Sequence, residues 1–297
     1  MPNLTVPQTP RYVPALPTKE NLQYADLAII DLSKAATAEG RTELAVELRK
    51  ALTTHGFCYI INHGYTQAQN ERMFDIADIP MSGVPEDEKR LYTGDSKKTG
   101  IFQGYKPRQY WHIDAGVRDQ HEHYNCNRHV LQLDAPTSTQ IISSRYRCLH
   151  FGSITLLWSQ PVAALQIQTK EGWRWVKHIE NALLMNIGDS MEFLTGGFYK
   201  GTIHRVVQPP IDQRGYTRLS MIYFSFLNDD VKLVPLMDSP VLQRVGVERR
   251  CEDDVAPTMK AWRVARISAY GASDLQKSKE PGIEEEVLNG IIVKHYN

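Results

Sequence analysis

Three polar residues in the second half of the chain have the types and spacing to bind a metal ion and a carboxylate. His204 carries an imidazole, which suits Fe(II), and Arg218 carries a planar guanidinium that can hold a carboxylate through two parallel hydrogen bonds. Ser220 is two residues beyond Arg218, so on a strand both side chains face the same side and can share one carboxylate. Alone, a histidine and an Arg-x-Ser pair are weak signals.

The residues around these three carry a denser pattern. From Asn186 to Ser220 the chain reads NIGDSMEFLTGGFYKGTIHRVVQPPIDQRGYTRLS. It resembles the iron(II)/2-oxoglutarate-dependent oxygenases of the isopenicillin N synthase-like family, which carry N-x-G-D, then G-x-Y-K-x-x-x-H-R-V, then R-x-S. The resemblance implies that His204 is an iron ligand and that Arg218 and Ser220 hold the far carboxylate of 2-oxoglutarate. Fe(II) and 2-oxoglutarate are the cofactor and cosubstrate that it implies.

The first half agrees with this resemblance. A helix with leucines at positions 44, 48 and 52 is followed by HGFCYIINHG, similar to the helix and the H-G-F-F-x-x-x-N-H-G strand that open the family. The resemblance assigns that strand to packing, so His55 and His63 are expected to be structural.

The metal motif departs from the family. A facial triad needs two imidazoles and a carboxylate, and the family supplies two of these ligands from H-x-D just before F-G-S-x-T-L-L. Here Cys148 stands in place of the histidine and His150 in place of the aspartate, ahead of FGSITLL. Two hypotheses remain open: Cys148 or His150 completes the site, since alternation points both to one face and a thiolate supplies negative charge, or the iron site has been lost.

The segment between Asn125 and Cys148 is short for the family. It lacks room for the long helical stretch, the opening barrel strands and the tyrosine that contacts 2-oxoglutarate. A barrel without edge strands would expose backbone, so a truncated or alternatively spliced product is a further hypothesis.

A second H-x-D lies at His112 and Asp114, outside the F-G-S-x-T-L-L context. On a strand its side chains share a face and could bind a metal ion. The alternative is a packing or substrate-side element that includes Tyr105, Tyr110 and Trp111, because aromatic residues are more often core.

Hydrophobic periodicity and turn residues predict the elements that must position these residues. Helices are expected at 41–54, with Gly56 as the C-terminal cap, at 66–88 and at 258–268, and a loop at 93–108. Short strands are expected at 28–32, 57–61, 154–158, 164–167, 173–176, 183–187, 204–207 and 218–226.

The spacing of these strands indicates an all-β sandwich or barrel. The resemblance implies a mainly β fold with helices: a double-stranded β-helix, or jelly roll, complete or incomplete, preceded by an α/β N-terminal region. We divide the chain into an extended Pro-rich arm (1–25), an N-terminal dioxygenase-like region (26–130), a β core (146–230) and a C-terminal extension (231–297).

Composition narrows the classes of partner. Lys and Arg total 34 and Asp and Glu total 34, so charge favours neither nucleic acid nor an acidic membrane, and a small molecule is the expected ligand. Four scattered cysteines form no CxxC pair, and the N-terminus has prolines where a signal peptide needs an apolar run, which predicts a cytoplasmic protein. Oligomeric state is not readable.

The expected function is Fe(II)- and 2-oxoglutarate-dependent hydroxylation, desaturation or ring closure of a small organic molecule in secondary metabolism. The alternative is a catalytically impaired relative that binds a ligand or partner chain, or one that works as a non-redox isomerase or cyclase.

Overall fold

The computed structural model describes residues 9–95, 103–110, 112–114, 117–126, 152–269, 276–279, 283–288 and 290–296. The helices are α1 (Ala38–Thr54), α2 (Gln67–Asp78), α3 (Glu86–Leu91), α4 (Asp189–Leu194), α5 (Pro240–Val245) and α6 (Met259–Ala269), with 3-10 turns at Leu32–Ala36 and Ile211–Gln213 and a π-helical turn at Ile79–Gly83. The strands are β1 (Ile29–Asp31), β2 (Phe57–Ile61), β3 (Gly104–Lys106), β4 (His112–Asp114), β5 (Val117–Arg118), β6 (His123–Asn125), β7 (Ile154–Trp158), β8 (Leu165–Thr169), β9 (Gly172–Trp175), β10 (Leu183–Ile187), β11 (His204–Val206), β12 (Ile222–Ser225), β13 (Gln276–Lys277), β14 (Ile283–Leu288) and β15 (Ile291–Tyr296).

Two sheets form the centre of the molecule. The larger sheet has the order β1-β2-β10-β7-β12, and the smaller has the order β11-β8-β9. Phe57 and Tyr59 on β2, with Leu184 on β10, pack against Leu165 and Ile167 on β8. These contacts make the interior between the sheets, as expected for a double-stranded β-helix.

Helix α1 covers the outer face of the larger sheet. Its first turn is capped by Thr37, whose hydroxyl accepts a hydrogen bond from the Gly40 N–H at 3.0 Å. Leu44 and Leu52, eight residues apart on one helix face, pack with Cys58 and Met185. Because neighbouring strand residues alternate in direction, Cys58 faces α1 while Phe57 and Tyr59 face the interior.

Most of the expected elements are confirmed, and their ends differ by a few residues. The helical segment 66–88 divides at the π-helical turn into α2 and α3. The expected loop at 93–108 contains β3, where Tyr105 pairs with Tyr124 on β6, a partner that local composition does not show. The expected strand at 218–226 is shorter, since β12 begins at Ile222.

The N-terminal arm is extended across the surface. The Tyr12 N–H donates to Asp75 Oδ1 at 2.8 Å, and the Tyr12 ring stacks on Phe74 at a centroid distance of 5.8 Å. Further along, the buried Gln213 amide donates to the Leu16 carbonyl at 2.8 Å and to the Pro161 carbonyl at 3.0 Å, and accepts from the Ala163 N–H at 2.8 Å. One side chain therefore joins the arm to the β7–β8 turn.

The C-terminal residues pack on the beginning of α4. Trp262 on α6 is fully buried, and its indole N–H donates to Asp189 Oδ2 at 3.2 Å. Arg266 bonds Glu286 on β14 at 3.3 Å, within a sheet of order β13-β14-β15. Among the described residues, none of the helices combines the length and apolar character needed to cross a membrane.

Candidate active site between the two sheets

His204 begins β11 and faces the interior between the sheets. Its ring meets Phe57 edge-on, with centroids 5.3 Å apart. Its Nδ1 lies 2.9 Å from the Thr202 carbonyl oxygen. Because a carbonyl only accepts, Nδ1 carries the hydrogen, and burial lowers the pKa of His204 and favours the neutral ring. The lone pair is therefore on Nε2, the arrangement of an imidazole ready to bind a metal ion.

A close backbone approach fixes the loop before His204. The Thr202 hydroxyl bonds to the His55 carbonyl, and Gly56 has a φ of +62°. A Cβ atom at Gly56 would lie 2.3 Å from Thr202 Oγ1 and 2.6 Å from the Lys200 carbonyl oxygen. Only glycine fits this position, so the cap of α1 also sets the path of the chain toward His204.

Arg218 and Ser220 lie together, as predicted. The guanidinium donates from Nη1 to Ser220 Oγ at 2.7 Å, and Ser220 is fully buried. Both precede β12 rather than lying within it. The Trp158 N–H still donates to the Met221 carbonyl at 3.0 Å, which continues the β7–β12 pairing toward them.

The Arg218 side chain lines a cavity between the sheets. Its empty volume is about 320 Å³, including the part open to solvent, and its inner wall includes Tyr59, Leu157 and Leu184. His204 does not line this cavity. It contacts Phe57, which is two residues from Tyr59 on the same face of β2 and so about 7 Å along the strand.

The sequence interpretation missed one interior hydroxyl. Thr155 on β7 is 4% exposed and pairs with Asn186 on one side and Phe224 on the other. Thr155 lies two residues before Leu157, whose side chain faces the interior, so the Thr155 side chain faces the interior too. Among the described residues, its hydroxyl has no hydrogen-bond partner. Alternation along the F-G-S-x-T-L-L motif would have revealed the position, and an unbonded buried hydroxyl fits a cavity that takes a polar ligand.

The two altered motif positions, Cys148 and His150, lie outside the described residues, as does Trp111. In the part of the chain that is described, no group of three His, Cys, Asp or Glu side chains is arranged to hold a metal ion. The described residues thus offer a guanidinium beside a hydroxyl, which fits a carboxylate, and one buried imidazole whose Nε2 carries the lone pair.

The other histidine candidates have different surroundings. His63 Nε2 lies 2.9 Å from the Asn181 carbonyl oxygen, and the His55 carbonyl accepts from Thr202, which agrees with structural roles. His112 and Asp114 lie on β4, paired with β5. Tyr105 is buried and its hydroxyl donates to Glu122 at 2.6 Å, so it is part of the packing.

Comparison with known proteins agrees with this geometry. Residues 27–144 match the model of the N-terminal region of non-haem dioxygenases in morphine synthesis. Residues 148–226 match the model of the 2OG-Fe(II) oxygenase superfamily. The second match contains His204, Arg218 and Ser220.

Relatives of known name point the same way. The chain is 35% identical to jasmonate-induced oxygenase 4 of Arabidopsis thaliana over 29% of this chain and 23% of the relative. It is 39% identical to the 2-oxoglutarate-dependent dioxygenase citB of Monascus ruber over 29% of this chain and 26% of the relative. The matches thus span about a quarter of the length of these curated relatives.

Solved structures agree as well. A full-length Neurospora crassa protein, solved in complex with alpha-KG, has a TM-score of 0.64 at 16% identity, covering 84% of this chain and 99% of that one. This likeness confirms the jelly-roll fold. With both family models matched in sequence order and the predicted motifs within them, the chain belongs to the 2OG-Fe(II) oxygenase superfamily.

Proposed function

We propose that this protein catalyses the Fe(II)- and 2-oxoglutarate-dependent oxidation of a small organic molecule, by hydroxylation, desaturation or ring closure, in secondary metabolism. The observation that carries the proposal is Arg218, which lines a cavity between the sheets and donates to the buried Ser220 hydroxyl, with His204 farther along the same interior. A match to a relative named scopoletin 8-hydroxylase, 23% identical over 79% of this chain, supports a small-molecule substrate.

In this proposal Arg218 and Ser220 hold the far carboxylate of 2-oxoglutarate. The guanidinium offers two parallel N–H donors to the carboxylate, and Ser220 both accepts from Arg218 and keeps its own hydroxyl hydrogen for the ligand. Leu157 and Leu184 exclude water from the wall beside the guanidinium, which strengthens the ion pair. Tyr59 lines the Arg218 cavity and Phe57 contacts His204, and the two residues are about 7 Å apart along β2. A short molecule with a carboxylate at each end can span that distance.

His204 would hold the iron through Nε2, with its ring fixed by the Thr202 carbonyl. Cys148 and His150 are the candidates for the remaining protein ligands, the former as a thiolate. When bound, Fe(II) and 2-oxoglutarate together supply the activation of dioxygen. The Phe57 ring keeps solvent from one side of the His204 imidazole.

Metal analysis tests the iron site. The purified protein should bind one equivalent of Fe(II), and His204→Ala should lose it. His63→Ala is the matched control, because His63 is also hydrogen-bonded to a backbone carbonyl and should leave the iron content unchanged. A stable fold that binds no Fe(II) would favour the impaired relative, the binding protein or the isomerase instead.

Succinate release tests the cosubstrate site. Arg218→Ala should abolish 2-oxoglutarate-dependent succinate formation, because a buried carboxylate would lose its charged partner. Arg205→Ala is the control, since the neighbour of His204 points to the other face of β11 and bonds Gln166 at 2.9 Å. Unchanged succinate release in Arg218→Ala would refute the assignment.

A further inference from the structure

A second polar group lines the Arg218 cavity. Ser159 follows β7 and His178 follows β9, and both belong to the cavity lining together with Arg218. Their side chains meet, with Ser159 Oγ 2.8 Å from His178 Nδ1. The Ile179 N–H also donates to Ser159 Oγ at 3.1 Å. The pair is therefore fixed by the backbone of the loop that carries His178.

This pair keeps one hydrogen-bond donor unused. If the Ser159 hydroxyl donates to Nδ1, the neutral ring carries its hydrogen on Nε2, and in the described ranges Nε2 has no hydrogen-bond partner. If Nδ1 donates to Ser159 instead, the serine hydroxyl hydrogen is left over. Either tautomer leaves one N–H or O–H at the cavity.

Two neighbouring polar groups of the lining are already engaged. The Tyr59 hydroxyl donates to the Lys177 carbonyl at 2.5 Å. The Gln160 amide donates to the Val162 carbonyl and accepts from the Val162 N–H, each at 3.0 Å. These bonds fix the wall around Ser159 and His178 and use the tyrosine hydroxyl hydrogen, while the Gln160 amide keeps its second N–H. The Trp158 indole N–H, also in the lining, has no hydrogen-bond partner among the described residues.

We propose that the Ser159–His178 pair is a second carboxylate contact in the Arg218 cavity, donating to the same carboxylate that Arg218 and Ser220 bind. It thereby sets the preference for a 2-oxo acid that has a far carboxylate over one that lacks it. The inference rests on the proposed function and extends it, because Ser159 and His178 line the same cavity as Arg218.

Calorimetric titration in the presence of Mn(II) tests this role. The probes are 2-oxoglutarate and 2-oxovalerate, which has the same carbon chain without the far carboxylate. His178→Leu should weaken 2-oxoglutarate binding by about tenfold, the size of one hydrogen bond to a charged group, and leave 2-oxovalerate unchanged. His178→Gln, which keeps a side-chain donor, should recover part of the affinity.

Two further variants make the result decisive. Ser159→Ala should act in the same direction as His178→Leu, and it carries the test if the leucine variant does not fold. His63→Leu is the control, because His63 bonds the Asn181 carbonyl in the same loop but does not line the cavity.

The outcomes separate the two proposals. Wild-type affinity for 2-oxoglutarate in both His178→Leu and Ser159→Ala, with loss in Arg218→Ala, overturns this inference and leaves the proposed function standing. Equal weakening of both probes in His178→Leu indicates a collapsed wall and also overturns it. If the wild-type protein does not bind 2-oxoglutarate, the proposed function fails and the inference fails with it.

Discussion

The interior hydroxyl of Thr155 has no hydrogen-bond partner in the described part of the chain, whereas most buried polar groups in proteins are bonded. Such a group costs free energy in the ligand-free protein, and a bound polar ligand can recover it. The hydrogen bonding of His204 also bears on ligand binding. Its one ring hydrogen is donated from Nδ1 to the Thr202 carbonyl, so Nε2 keeps its lone pair.

Thr155→Val therefore tests whether the hydroxyl serves stability or a ligand. The substitution removes an unsatisfied buried group at nearly constant volume, so the free energy of unfolding should rise by about 1 kcal/mol in the ligand-free protein. Urea denaturation measures it. Thr195→Val is the control, because the Thr195 hydroxyl donates to the Met191 carbonyl at 2.8 Å and its loss should lower stability. A loss in both variants would indicate a structural role for Thr155.

At this scale the dense motif predicted that Arg218 and Ser220 lie side by side, and they do. It also predicted that His204 shares one cavity with them, but the cavity lined by Arg218 does not include His204, which lies farther along the same interior. The sequence did not predict the Ser159–His178 contact. Nineteen residues separate the two, and only the β7 and β9 ends bring them together, a long-range arrangement with no local signature. Roles for Cys148 and His150 stay predictions.

The element that most affects the site is the helix-glycine-strand unit of α1, Gly56 and β2. The leucine spacing and the glycine cap were readable from the sequence because each is a local pattern. The C-terminal strands β13 to β15 were not, because their charged stretch lacks regular alternation and their pairing depends on the hairpin between Leu288 and Ile291.

Gly56→Ala should destabilise the protein more than Gly64→Ala does. Both positions have positive φ, which costs an alanine about 1–2 kcal/mol, but only Gly56 would also bring its Cβ within 3 Å of Thr202 and Lys200. Urea denaturation of both variants measures the difference. Equal losses would show that the loop before His204 moves away without cost.

For the whole molecule, short strands separated by turn residues predicted a β sandwich or barrel, and the family resemblance narrowed this to a jelly roll. The relation of the sheets to the arm and the C-terminal residues was not, since it depends on single buried contacts such as the Trp262 indole on Asp189. The fourfold division of the chain stays a prediction.

Buried histidines should make the whole fold sensitive to acid. Burial lowers the pKa of His178 and His204, and it lowers the pKa of His123 to about 3. Below about pH 6.5 the unfolded chain binds protons that the native state does not, so stability is complete above that pH and falls as pH decreases toward the native pKa.

Each such histidine contributes up to about 1.4 kcal/mol per pH unit in that window. The free energy of unfolding, measured in urea at pH 7.5, 6 and 5, should decrease, and the slope should be smaller in His123→Leu. An unchanged slope in that variant would contradict the assignment, whatever the variant does to stability at neutral pH.

The Gln213 amide links the N-terminal arm to the β7–β8 turn, so a change in one of these segments should affect the other. It holds Leu16 of the arm and Pro161 and Ala163 of the turn that forms part of the cavity wall. A ligand that stiffens this turn should therefore slow detachment of the arm, and a protease that cuts ahead of Leu27 should work more slowly on the occupied protein than on the empty one.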